Sequence, residues 1–134
     1  MKTKVRFKIL KPEVISTRYF IVIGNWKEVK PWFEKHDFPT DWVNGYEEIV
    51  GGGCAKAKSS NAIVIWFTTD ILNKKKRTRL INWITHECCH ATWYTEKLIG
   101  DWFSSEIQEP QCYLLGWLVE ECYKFLTGEK KENQ

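Results

Sequence analysis

The chain has 134 residues, 43% hydrophobic and 28% charged, with a formal net charge of +3. That length suits one compact domain around a single core, and the balance excludes a low-complexity chain or one built mainly to attract nucleic acid. No apolar run approaches a membrane-spanning length, and the basic start at Met1-Lys2-Thr3-Lys4 lacks the apolar centre of a signal peptide, so the expected location is cytoplasmic.

In chain order, Val5 to Leu10 alternates apolar and basic residues, the pattern of a half-buried strand. Tyr19 to Ile23 is a β-branched and aromatic run ending at Gly24-Asn25 and reads as a buried strand. Trp26 to His36 has partial helical spacing, with Pro31 marking a break or a late start. Residues 37 to 48 read as an irregular surface connection, and His36, just before them, reads as an exposed surface histidine. After Gly51-Gly52-Gly53, the segment Cys54 to Lys58 and the apolar run Ala62 to Phe67 form a hairpin around Ser59-Ser60-Asn61. Thr68, Thr69 or Asp70 is placed to cap the next helix, expected from about Asn73 to Leu98 with Gly100 beyond its end. A last helix begins near Pro110 and stops at Gly128, and residues 129 to 134 read as a disordered tail. The fold class is therefore α+β: one domain over residues 1 to 128, with a small, mostly antiparallel sheet packed on a long motif helix and a C-terminal helix.

Five cysteines (Cys54, Cys88, Cys89, Cys112, Cys122) form an odd set without CxxC spacing, which suits free thiols in a reducing compartment. The eight tryptophans are expected to serve mainly as core. Lys74-Lys75-Lys76-Arg77-Thr78-Arg79 has no interleaved aromatic residue and reads as a solvated helix start rather than a nucleic-acid patch.

The stretch that carries chemistry is His86-Glu87-Cys88-Cys89-His90. Histidines four apart on a helix share a face and can reach one ion, while a glutamate next to the first can reach a water at that ion. His86 and His90 are thus candidate zinc ligands and Glu87 the candidate general base for hydrolysis of an amide. A catalytic zinc takes a third protein donor. Glu109, just before Pro110 and so near the start of the last helix, is the first choice; Glu106 is the runner-up, followed by Cys54 and Asp101. Tyr94 and Tyr113 are candidates for polarising a substrate carbonyl, with simple packing as the alternative.

His86-Glu87-Cys88-Cys89-His90 followed by Glu109-Pro110-Gln111-Cys112-Tyr113-Leu114-Leu115 resembles the zincin metallopeptidases, in their gluzincin arrangement, and is similar to small peptidases of phages, prophages and gut bacteria. The resemblance spans residues 62 to 126. It implies a minimal zincin-like fold, Zn2+ as cofactor, His86, His90 and Glu109 as ligands, and Glu87 as base. It also implies a strand, Ala62 to Phe67 or Cys54 to Lys58, that holds an extended peptide by strand addition. Cys88 and Cys89 depart from the usual residues between the histidines; Cys88 is expected to face the core and Cys89 to flank the histidine face. The expected function is zinc-dependent hydrolysis of peptide bonds, with a peptide or protein substrate, no membrane or nucleic-acid partner, and a monomer as default. The alternatives are a zinc amidase or deformylase-like hydrolase, and a non-enzymatic phage structural or host-interaction protein with a structural metal.

Overall fold

The computed structural model describes residues 5–13, 15–43, 51–73, 77–100 and 109–128. The tail at 129 to 134, Lys74 to Lys76 of the basic run, and the candidate ligands Asp101 and Glu106 lie outside them. Four strands, β1 (Arg6–Leu10), β2 (Arg18–Ile23), β3 (Gly52–Lys56) and β4 (Ala62–Phe67), form one sheet in the order β1-β2-β4-β3. The outer pairs are antiparallel, and β2 and β4 run parallel at the centre. That central pairing explains why Ala62 to Phe67 is an unbroken apolar run: a parallel pair covered on both faces has no solvent side on which to alternate.

The covers are helical. On one face lie α2 (Arg77–Ile99) and α3 (Glu109–Thr127), packing Leu80, Ile84, Cys88, Ala91, Leu114, Leu118 and Cys122 on Tyr19, Ile21, Ile63, Ile65 and Phe67. On the other lies α1 (Trp26–Lys35), which buries Trp26, Val29 and Phe33 against Val22, Val64 and Trp66. This layer adds a second cover to the expected α+β arrangement of sheet, motif helix and C-terminal helix. Pro31 sits inside α1 without ending it, because the aromatic packing of Trp32 and Phe33 on Phe20 and Phe38 holds the turn that lacks its hydrogen bond. His36 is also not the exposed residue expected. It caps α1, stacks on Trp32 at 4.0 Å between ring centroids, and its Nδ1 is 2.8 Å from the Trp32 carbonyl oxygen.

Thr68 precedes a short 3-10 turn, Thr69–Leu72, rather than the long helix, which begins at Arg77. Its hydroxyl hydrogen-bonds the Asp70 carboxylate and accepts the Gly51 N–H at 2.9 Å, tying the end of β4 to the start of β3. Gly100 and Gly128, with φ of +69° and +70°, end α2 and α3 as the sequence indicates. No described helix is long and apolar enough to cross a membrane.

The glycine run at β3 has a steric cause. A Cβ on Gly52 would run into the Trp66 carbonyl oxygen, and one on Gly53 would lie 2.5 Å from the Trp42 ring. Gly52→Ala must push two strand backbones apart, and we expect it to cost at least about 3 kcal/mol of folding stability, at the upper end of overpacking penalties. Urea denaturation measures this; a loss under about 1 kcal/mol would show that β3 shifts without strain.

Candidate metal centre

All of the motif lies on α2, but its side chains divide between two environments. Cys88 is fully buried and Glu87 is 7% exposed, whereas His86, Cys89 and His90 are exposed. At about 100° per residue, Leu80, Ile84, Cys88, Ala91 and Thr95 form the core stripe, Glu87 lies at its margin, and the two histidines lie farther round. Both the buried Cys88 and the exposed Cys89 match the sequence expectation.

The imidazoles converge, with Nε2 of His86 and Nε2 of His90 3.2 Å apart. Two nitrogens each about 2.0–2.1 Å from one zinc at a tetrahedral angle stand about 3.3 Å apart. The separation of the pair therefore matches that of two nitrogens on one ion. Partial burial, and after it the proximity of His86, lowers the pKa of His90 and so favours its neutral form, which can donate a lone pair.

Glu87 Oε1 is 3.7 Å from His86 Nε2, too long for a hydrogen bond. Its other oxygen, Oε2, is buried without a hydrogen-bond partner. Burial pushes the Glu87 carboxyl up from 4.5 to about 7. A carboxyl at that value, beside a histidine pair and with an unused oxygen, is poised to take and return a proton near neutrality.

Contacts on the two flanks of α2 fix where this group faces. Cys88 Sγ lies 3.7 Å from Cys122 Sγ, so that flank meets α3. On the opposite flank, the Trp83 ring lies against Gly51, and Tyr94 shares a cavity with Cys54. The Glu87 charge helps raise both Cys54 and Tyr94, after the larger effect of burial on each. His86 and His90 continue round in the Trp83–Tyr94 direction. The histidine pair thus looks out past β3, away from α3.

That orientation decides the place of Glu109. Two contacts show that α2 and α3 run antiparallel: Cys88 meets Cys122, and Tyr19 bridges Thr95, by a 2.7 Å hydroxyl contact, and Trp117, edge to face. Glu109 precedes Cys122 by 13 residues, which at 1.5 Å per residue puts it about 20 Å along the axis from the level of Cys88. It opens α3, exposed, on the far flank, and the structure does not bring it to the histidines. Tyr113, 74% exposed on the same helix, is likewise away from them. Among the described residues no three His, Cys, Asp or Glu side chains are grouped to hold a metal, Cys54 included. Among the described residues, none joins the histidine pair as a third donor.

Of the two strands proposed to hold substrate, Ala62 to Phe67 is excluded, since β4 is paired on both sides. Strand β3 is an edge. Ala57 N–H donates to the Ala62 carbonyl at 2.9 Å and Thr68 N–H to the Gly51 carbonyl at 3.0 Å. The antiparallel alternation then turns the backbones of Gly51, Gly53, Ala55 and Ala57 toward β4 and those of Gly52, Cys54 and Lys56 outward. Sequence reasoning missed Trp83, whose ring lies against Gly51, while Cys54, one of the ligand candidates, does lie near enough to Glu87 to feel its charge; the outward, even-numbered set was legible only once the hairpin register was known. Compared with protein-family models, with curated proteins and with solved structures, the chain finds no match.

Proposed function

We propose that the protein is a zinc-dependent hydrolase of peptide bonds, working in the cleft between α2 and the outer edge of β3. The observation that carries this is the 3.2 Å convergence of the two histidine Nε2 atoms beside a buried carboxyl that has one oxygen without a partner. His86 and His90 would hold the ion, which when bound supplies Lewis-acid polarisation of a carbonyl and a more acidic water. Glu87 would take the proton of the attacking water on Oε1, the oxygen nearer His86, and hand it to the departing amine. Tyr94, half-buried, kept protonated by its surroundings and lining the cavity beside Cys54, would stabilise developing negative charge on the carbonyl oxygen. The outward N–H and C=O groups of Gly52, Cys54 and Lys56 would pair with an extended peptide and hold it along the cleft. Asp101 and Glu106, which lie outside the described residues, are the remaining candidates for a third donor.

The test is cleavage of a quenched fluorescent peptide mixture by protein purified without a histidine tag. Turnover that stops on chelation and returns with one equivalent of zinc is the expected result. Protein that takes up zinc tightly but leaves every peptide intact would move the assignment to a structural metal in a non-enzymatic protein.

A further inference from the structure

The outer edge of β3 faces Tyr94 of α2, one turn beyond His90. A cavity of about 300 Å³ is lined there by Pro39, Asp41, Trp42, Cys54, Ala55, Lys56 and Tyr94. Cys54 and Tyr94 belong to the α2 side of the sheet and Trp42 to the α1 side, so the cavity straddles the strand edge whose outward backbone groups are Gly52, Cys54 and Lys56. We propose that this cavity is a side-chain subsite that takes one large apolar or aromatic residue of a peptide paired to β3, and so sets the sequence preference of the enzyme. The proposal rests on the peptidase reading and adds the substrate class.

Three features point to that occupant. The volume lies at the lower end of ligand pockets, enough for one bulky side chain and not for a cofactor. Its wall is aromatic and fixed. The Trp42 indole N–H donates to the Pro39 carbonyl at 2.7 Å, its ring lies over Gly53, and it packs on Trp26, Phe33 and Trp66. Even so, Trp42 is 36% exposed, an indole face held open beside a strand edge. The charges on the rim, Asp41 and Lys56, are opposite in sign and both exposed, so neither a cationic nor an anionic side chain gains from the pair together. Glycine at position 53 is part of the device, since a side chain there would displace the Trp42 ring.

The test uses blocked hexapeptides that are alanine throughout except for one position, scanned along the peptide and filled by Phe, Leu, Ala, Asp or Lys. Zinc-loaded wild type measures kcat/KM, and Glu87→Gln measures binding by fluorescence anisotropy. We expect Phe and Leu at one position to exceed Ala, Asp and Lys by 10-fold or more in both readouts. Trp42→Ala should bring the Phe:Ala ratio within about twofold. Lys56→Trp, which crowds the rim and touches no core residue, should do the same should Trp42→Ala prove unstable. Preferential binding of the Phe peptide that depends on Trp42, with no cleavage of any peptide, would uphold the subsite and remove the peptidase reading. Cleavage without preference, or with a preference untouched by both variants, would overturn the subsite and leave the peptidase reading standing. Neither binding nor cleavage would overturn both.

Discussion

Glu87→Gln should separate chemistry from metal binding and, in the metal-free protein, should remove a pH dependence of stability. On the proposed mechanism the variant keeps its zinc, because Glu87 is the base and not a ligand, while kcat falls by about 10²- to 10⁴-fold, the usual worth of general acid–base catalysis. The stability effect follows from burial. The folded-state carboxyl titrates at about 7 rather than 4.5, so the folded chain binds the proton more tightly than the unfolded chain does. The contribution is therefore fully present below pH 4.5, declines as pH rises, and is gone above 7. A difference of that size corresponds to about 3 kcal/mol. Metal-free wild type should lose about that much stability between pH 4.5 and pH 8 relative to Glu87→Gln, whose amide does not ionise. Parallel urea titrations of the two chelated proteins at the two pH values give the number. Superimposable pH dependences would mean that Glu87 is hydrated in solution and is not a poised base. Unchanged turnover in Glu87→Gln would remove it from the mechanism.

How far the residues announce this arrangement depends on which interactions are local. Strand alternation at β1, the β-branched runs of β2 and β4, and the glycines that end α2 and α3 are decided within a few residues, and they are legible in the sequence. The histidine pair is legible for the same reason, since i and i+4 on a helix must converge. The α1 layer is not. Pro31 argues against a continuous helix on local grounds, and only packing on Phe20, Phe38 and Trp66 overrides it. His36 reads as polar and exposed until Trp32 is placed flat against it. The buried state of Glu87 is likewise a tertiary fact. Its position beside a candidate ligand histidine suggests a base, but the unpartnered oxygen and the raised pKa come from its burial in the packed protein.

The least legible feature is the third metal donor, and here the direction of α3 matters more than sequence spacing. A carboxylate 19 residues after His90 looks well placed only while the helices are free to cross in any way. Once Cys88 packs on Cys122, α3 is antiparallel to α2 on the flank opposite the histidines, and Glu109 is carried to the far end. The expected outcome of a metal-binding series follows. Zinc should raise the melting temperature of wild type by stabilising the folded state as RT ln(1 + [Zn]/Kd), about 4 kcal/mol at a thousandfold excess over Kd. His86→Ala and His90→Ala should each abolish that shift at the same zinc concentration, because one imidazole alone cannot chelate. Glu109→Ala should keep most of it, while loss on Asp101→Ala or Glu106→Ala would name the third ligand. Full loss on Glu109→Ala would mean that α3 swings or unwinds to close the site when zinc binds. That motion would also have to part the Cys88 and Cys122 thiols, so a cross-link between them should then block zinc uptake. Retention of the shift in both histidine variants would place the ion elsewhere and end the case for a metal centre on α2.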